Sequence, residues 1–107
     1  MSTKGYLDLP PDVVSKEVAS TRLVDVREPH EFSGELGHVA GAELVPLATV
    51  EAASAGWDNE QRLILICRSG NRSGKAAALL AAKGFKDLVN MAGGMLQWNA
   101  LGLPTEK

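Results

Sequence analysis

Short apolar runs alternate along the chain with segments in which apolar residues recur at helical spacing. The runs are too short for helices and rich in aliphatic residues, which is typical of strands; they cover residues 6–9, 23–26, 43–45, 63–66 and 87–90. Helical spacing follows at residues 12–19, in a short turn containing Glu31 and Phe32, at residues 47–55 and 74–82, and after Gly93. Alternating strands and helices predict an α/β domain with a mainly parallel five-stranded sheet that carries helices on both faces.

Two of these helices carry apolar residues whose burial can be predicted. In the helix at residues 12–19, the spacing of Val13, Val14 and Val18 predicts a side that packs on the sheet. In the last helix, Met95, Trp98 and Leu101 recur at i, i+3 and i+6, which predicts one buried face. Trp98 is therefore interpreted as a core residue that could also line a pocket.

The strand at residues 63–66 ends at Cys67, the only cysteine of the protein. Ligands of open parallel sheets bind beyond the carboxyl ends of the strands, so the thiol is expected at that edge. The helix predicted from Gly74 begins with unpaired N–H groups, and a loop that curls into this end forms a cradle for an anion. Arg68 and Arg72 add positive charge that favours the thiolate.

A lone cysteine after an apolar strand is commonly just a small buried apolar residue. Here the neighbours favour a reactive thiol instead. Ser69 and Ser73 offer hydroxyl donors, and Gly70 allows backbone conformations closed to other residues. A structural cysteine has no need of these residues and two arginines within six positions.

Composition limits the remaining possibilities. The 107 residues, of which 45% are hydrophobic, fit one domain over residues 1–107 with its own core, and the net charge of −2 gives no reason to expect nucleic acid. One cysteine cannot form an internal disulfide, and a reactive thiol persists best in a reducing compartment. Residues 1–6 lack the apolar run of a signal peptide, and no apolar stretch reaches membrane-spanning length. We therefore expect a cytoplasmic protein without a membrane partner.

Four further polar residues invite a functional interpretation. Asp25 and Arg27 end the second strand, so they lie at the same edge of the sheet as Cys67. They are expected to form an ion pair that braces the loops, and Asp25 could also position an active-site arginine. His30 and His38 lack a cysteine pair or ordered carboxylates, so no metal site is predicted, and His38 is expected to be a hydrogen-bonded loop residue.

The segment Cys67-Arg68-Ser69-Gly70-Asn71-Arg72-Ser73 resembles the active-site loop of single-domain rhodaneses, the thiosulfate sulfurtransferase family. Residues 23–32 with 37–42 resemble the upstream motif of that family, and residues 93–98 with 102–104 resemble its C-terminal motif. The similarity covers nearly the whole chain in the right order. Ala40 stands where many members carry proline, outside the loop.

This resemblance implies a double-displacement sulfur transfer without cofactor or metal. Cys67 would be the catalytic nucleophile that takes sulfur from thiosulfate as a persulfide and passes it to cyanide or a thiol. Arg72 would reach back over the pocket mouth to bind the sulfonate, with Arg68 on the rim. The substrate-binding residues would be Arg68, Ser69, Gly70, Asn71, Arg72 and Ser73, and Asp25 and Arg27 would support them.

Two alternatives remain open. The same loop would serve a non-enzymatic persulfide carrier or sensor that receives sulfur from a relay protein. Cysteine phosphatases and arsenate reductases also cradle an oxyanion over a thiol, but the phosphatases place five residues between cysteine and arginine. Four residues separate Cys67 from Arg72 here, so the ring of amides is smaller and suits a single sulfur atom.

Overall fold

In a computed structural model, which describes residues 4–107, five strands form one sheet in the order β1-β5-β4-β2-β3. The strands are β1 (Leu7–Leu9), β2 (Arg22–Asp25), β3 (Glu43–Leu44), β4 (Leu63–Ile66) and β5 (Leu88–Met91). All neighbours pair in parallel, which confirms the predicted α/β class. The first three residues of the predicted domain lie outside the described residues, as does half of the segment on which the expectation about a signal peptide rests.

Between residues 4 and 107, five α-helices connect and cover the strands. They are α1 (Pro11–Val14), α2 (Pro29–Phe32), α3 (Val50–Ala53), α4 (Asn71–Ala82) and α5 (Gly94–Ala100), with 3-10 turns at Leu47–Thr49 and Ser54–Gly56 on either side of α3. No helix within residues 4–107 is long and apolar enough to cross a membrane.

The central strand β4 is buried along its whole length, and its side chains alternate between two apolar clusters. Leu63 and Leu65 pack on one face with residues of α4 and the α3 region. Ile64 and Ile66 pack on the other face with residues of α1 and α5. Because both faces are covered, β4 can be an uninterrupted apolar run.

The first and last helices end earlier than predicted, and each buries fewer of the residues that were expected to pack on the sheet. Helix α1 ends at Val14, because Ser15 Oγ donates to the Asp12 carbonyl and the following N–H groups bond only three residues back. Val14 is buried, but Val13 is 37% exposed, so the predicted side was wrong for Val13. Leu101 follows the end of α5 and is 46% exposed, whereas Met95 and Trp98 are buried as predicted.

Helix α4 begins three residues earlier than predicted, at Asn71. Gly70 has φ +101°, a left-handed conformation that turns the chain sharply, and the Gly74 N–H donates to the Gly70 carbonyl. Only Arg68, Ser69 and Gly70 therefore separate Cys67 from the helix. The last three residues of the predicted loop form the first turn of α4, so their backbone N–H groups lie close to the end of β4.

Candidate active site

The Cys67 sulfur lies at the bottom of the loop that joins β4 to α4. The residue is 1% exposed. Its Sγ accepts a hydrogen bond from the Gly70 N–H at 3.0 Å and one from the Ser73 hydroxyl at 3.2 Å. Both donors are present because Gly70 turns the chain back over the sulfur and Ser73 stands in the first turn of α4.

The pKa of the Cys67 thiol is set by two opposing causes. Burial raises it, because a thiolate loses the solvation of water. The Ser73 hydroxyl and the backbone N–H groups of Ser73, Gly70 and Ser69 lower it, and together they leave the pKa below its ordinary value. Hydrogen bonds thus activate the sulfur more than the arginines that the sequence suggested.

We expect Ser73→Ala to raise the pKa of the Cys67 thiol. A hydrogen bond to a charged group contributes about 1.5–3 kcal/mol, which corresponds to roughly one to two pH units. The measurement is the rate of alkylation against pH, in which the unmodified protein should show a midpoint below about 8.5, the value of a free thiol.

Ser69→Ala is the matched control for this change. It removes an equal hydroxyl from the same loop, but Ser69 lowers the thiol pKa through its backbone N–H, which alanine keeps. Its midpoint should stay at that of the unmodified protein. Equal midpoints for the two variants would show that the Ser73 hydroxyl does not support the thiolate.

Asn90 fixes the position of the Ser73 hydroxyl from the neighbouring strand β5. The Asn90 Oδ1 atom is hydrogen-bonded to Ser73 Oγ, and Asn90 Nδ2 donates to Asp8 Oδ1 at 2.9 Å and to the Gly70 carbonyl at 3.2 Å. The last two groups only accept, so the amide is oriented with Oδ1 toward Ser73. The Ser73 hydroxyl has one proton, which is therefore shared between two acceptors, Asn90 Oδ1 and Cys67 Sγ. Asn90 was not among the residues predicted from the sequence, although a lone amide near the end of an apolar strand is a signal of such a role.

The N-terminus of α5 holds the backbone of the loop. The N–H groups of Met95 and Leu96 donate to the carbonyls of Cys67 and Arg68 at 2.9 and 3.0 Å. Gly93 and Gly94 both have positive φ, +85° and +57°, and this pair lets the two backbones approach. The sequence identified this pair as the start of a helix and as part of a family motif, but it did not show the role of the pair in supporting the thiol.

Arg72 is paired with Glu31 of α2. The Arg72 Nη1 and Nη2 atoms donate to Glu31 Oε2 and Oε1 at 2.7 and 2.8 Å. The hydrogen bonds from Arg72, opposed by partial burial, lower the pKa of Glu31 to about 2. Arg72 was expected to reach over the pocket mouth and bind a sulfonate, which stays a prediction; in this structure a carboxylate accepts hydrogen bonds from both of its terminal nitrogens.

Arg68, by contrast, is exposed and lines a cleft of about 410 Å³ beside the loop. Within residues 4–107, no hydrogen bond or ion pair engages its side chain. The other lining residues are Arg27, His30, Glu31, Gly34, Glu35, Leu36 and Leu96. Ser69 and Asn71 are exposed next to Arg68, at the end of the loop and the start of α4. Arg68 is thus the loop cation that is free to meet an anion.

Asp25 and Arg27 form a buried ion pair, at 1% exposure or less for each. Arg27 Nη2 lies 2.7 Å from Asp25 Oδ2, and Arg27 also donates to the carbonyls of Glu31 and Gly37. The pair braces the loops around α2. Asp25 makes no hydrogen bond to Arg72 but holds Arg27, which lines the cleft, so its role in positioning an active-site arginine stays a prediction.

The two histidines lie apart from the thiol. His38 Nδ1 lies 2.8 Å from the Phe32 carbonyl, and its ring stacks on the Phe32 ring at 3.7 Å between centroids. It is a hydrogen-bonded loop residue. His30 lines the cleft next to Arg68.

Comparison with known proteins gives consistent matches. The model of the rhodanese-like domain family matches residues 11–101. The chain is 31% identical over 80 residues to the thiosulfate sulfurtransferase GlpE of Pseudomonas aeruginosa, covering 75% of this chain and 71% of the relative. It is 35% identical over 79 residues to the putative sulfur carrier protein YrkF of Bacillus subtilis, covering 74% and 42%. A crystal structure of a rhodanese-like domain protein from Staphylococcus aureus superposes with a TM-score of 0.79 at 27% identity, covering 94% and 99%.

Three curated relatives that are 40%, 36% and 35% identical to this chain are longer than it. The matched part spans 46%, 60% and 42% of the first three. The relatives therefore show the domain and a sulfurtransferase or sulfur-carrier class.

Proposed function

The chain belongs to the rhodanese-like domain family, and on that premise we propose that it is a sulfurtransferase in which Cys67 carries the transferred sulfur as a persulfide. One observation supports this most: the buried Cys67 sulfur is the shared acceptor of hydrogen bonds from the loop and from α4. Such donors stabilise a thiolate before reaction and a negatively charged sulfur after it.

In the first half-reaction, the Cys67 thiolate attacks the outer sulfur of thiosulfate. The bond between the two sulfur atoms of the donor breaks, sulfite leaves with the electron pair, and a Cys67 persulfide forms. The terminal sulfur takes over the negative charge, which the N–H groups of Ser69, Gly70 and Ser73 can stabilise. The exposed Arg68 side chain is the positive group that meets the incoming dianion.

In the second half-reaction, cyanide or a thiol attacks the terminal sulfur of the persulfide. The new sulfur bond forms on the acceptor, the bond within the persulfide breaks, and the Cys67 thiolate is restored. The two steps share one covalent intermediate, so ping-pong kinetics are expected. The chemistry needs no organic cofactor or metal, because the cysteine carries the group.

The proposal also includes the extent of the domain, the cellular compartment and the partners of the reaction. Residues 1–107 would form one rhodanese-like domain, and a reactive single thiol favours a reducing compartment such as the cytoplasm. Small sulfur donors and acceptors would be the partners, and the name of the relative YrkF also favours a sulfur-relay protein as acceptor or donor.

A phosphatase-like reaction is the alternative that the loop geometry disfavours. Only Arg68, Ser69 and Gly70 separate Cys67 from α4, and the Gly70 N–H already bonds directly to the sulfur. The loop thus closes tightly around one sulfur atom. In addition, Arg72, the arginine that would bind a phosphoryl group, is paired with Glu31.

The experiment that tests this proposal compares two reactions of the same preparation. Thiocyanate formed from thiosulfate and cyanide measures sulfur transfer, and phenol released from an aryl phosphate measures phosphatase activity. We expect turnover in the first reaction and negligible turnover in the second. Aryl phosphate turnover equal to or above that of thiosulfate would contradict the proposal.

Arg68→Ala is expected to raise the KM for thiosulfate and to leave the thiol pKa unchanged. The side chain faces the cleft without an internal partner, so its loss removes only a contact to the substrate. Since a charge-assisted contact contributes about 1.5–3 kcal/mol, kcat/KM should fall roughly tenfold to a hundredfold. Steady-state kinetics with varied thiosulfate measures the effect.

Lys75→Ala is a suitable control, because it removes one exposed positive charge from α4 without touching the cleft. Its kcat/KM should remain near that of the unmodified protein. An equal loss in both variants would mean that overall charge, and not the position of Arg68, matters for thiosulfate.

A further inference from the structure

The ion pair between Glu31 and Arg72 puts a carboxylate on the arginine that the family resemblance assigns to the substrate sulfonate. Carboxylate and sulfonate oxygens bind the guanidinium fork in the same way. In this structure the two terminal nitrogens of Arg72 are filled by the two oxygens of Glu31, at 2.7 and 2.8 Å. A sulfonate can bind the end of this fork only by displacing Glu31, and at the remaining N–H groups of Arg72 it would lie beside the Glu31 carboxylate.

Glu31 is held in place independently of Arg72. Its Oε2 accepts the Glu28 N–H at 3.0 Å at the start of α2, and its carbonyl accepts Arg27 Nη1 at 3.2 Å. Arg27 is itself fixed by the buried pair with Asp25. With a pKa of about 2, Glu31 stays ionised throughout the neutral range. Displacing it would therefore break several hydrogen bonds and leave a negative charge beside the incoming anion.

We propose that Glu31 determines donor specificity: it disfavours donors that carry an oxyanion next to the transferred sulfur and so favours organic persulfides over thiosulfate. This inference rests on the proposed sulfurtransferase function. Glu31 acts here as a specificity residue at the edge of the site, and Cys67 remains the nucleophile.

The reaction with an organic persulfide balances without a further reactant. The Cys67 thiolate attacks the outer sulfur of R–S–SH, a new bond forms between the two sulfurs, and the donor bond breaks. The donor leaves as the thiolate R–S⁻, and the outer sulfur with its proton becomes the terminal sulfur of the Cys67 persulfide. No oxidant is needed, and no oxyanion has to be neutralised.

The cleft beside the loop offers room for the organic part of such a donor. Its volume of about 410 Å³ lies in the range of pockets that hold organic ligands and exceeds what a thiosulfate ion requires. Leu36 and Leu96 supply apolar wall beside Arg68. This lining suits an organic thiol group with both apolar and polar atoms better than a small dianion.

The test compares Glu31→Gln with the matched control Glu35→Gln. Both variants remove one negative charge from the same cleft, but only Glu31 is paired with Arg72. Glutamine at position 31 can still accept a hydrogen bond from the Glu28 N–H, because Gln and Glu both form this capping contact at the third residue of a helix. The readout is kcat/KM with thiosulfate and with cysteine persulfide, each with cyanide as acceptor.

We expect Glu31→Gln to raise kcat/KM for thiosulfate roughly tenfold and to leave the value for cysteine persulfide nearly unchanged. Glu35→Gln should leave the ratio of the two donors at that of the unmodified protein. Glu31→Ala removes the charge and the acceptor together and should shift the ratio in the same direction, which keeps the test decisive if one variant folds poorly.

A second readout does not depend on sulfur transfer. Sulfate should protect Cys67 from alkylation at a lower concentration in Glu31→Gln than in Glu35→Gln or the unmodified protein. Equal donor ratios and equal sulfate protection in all three proteins would overturn the role of Glu31. If no donor yields thiocyanate with the unmodified protein while sulfate protection still shifts, the proposed function fails and the anion exclusion by Glu31 stands.

Discussion

Replacing Cys67 with serine is expected to abolish sulfur transfer and to preserve the fold. Serine is close to cysteine in size, and its hydroxyl can accept the Gly70 N–H and the Ser73 hydroxyl as the sulfur does. An alcohol is a much weaker acid and cannot form a stable persulfide, and no other thiol exists in the chain. Thiocyanate formation should fall by on the order of a thousandfold or more.

Thermal unfolding of the serine variant separates loss of chemistry from loss of structure. The transition should stay cooperative, with a midpoint within a few degrees of the unmodified protein, since about 1 kcal/mol corresponds to roughly 4–8 °C in a domain of this size. Retained turnover in a folded serine variant would contradict the assignment of Cys67 as the nucleophile.

The second large effect is expected from Gly94→Ala, which should destabilise the fold and disrupt the thiol site together. A Cβ atom at Gly94 would lie 2.5 Å from the carbonyl carbon and oxygen of Arg68 and from the oxygen of Cys67. These are backbone atoms of the loop, so the loop would have to move to make room for the Cβ atom. In addition, φ +57° is a left-handed conformation that is strained for any residue other than glycine. We expect a loss of about 3 kcal/mol or more in the free energy of unfolding.

Gly102→Ala is the matched control. Gly102 also has positive φ, +71°, but a Cβ there would have no atom within 4 Å. Gly102→Ala should therefore lower the free energy of unfolding only by the backbone strain, about 1–2 kcal/mol. Urea unfolding measures both variants, and alkylation of Cys67 reports the site. If the two variants lost the same stability, the close approach of α5 to the loop would have no special role.

The sheet and the position of the thiol could be predicted because they depend on signals local in the sequence. The apolar run at residues 63–66, ending at Cys67 and followed by small residues and a helix-forming segment, indicates a buried strand with a loop and a helix. Glycine at position 84 predicts the end of α4, where the Phe85 N–H bonds the Leu80 carbonyl. These patterns require no knowledge of distant parts of the chain.

The partners of the site could not be predicted in this way, because they join distant segments. Arg72 and Glu31 are 41 positions apart, and Ser73 and Asn90 are 17 apart. The sequence shows that an arginine follows the cysteine, but not that a carboxylate from α2 already binds it. The early start of α4 depends on the sharp turn at Gly70, which propensity alone does not reveal.

The most direct test of the account is the intact mass of the protein after incubation with thiosulfate. We predict that the protein gains one sulfur atom, about 32 Da, that cyanide removes this mass, and that Cys67→Ser gains nothing. A protein that stays at its original mass at saturating thiosulfate and cysteine persulfide, or a serine variant that gains the same mass, would contradict a Cys67 persulfide.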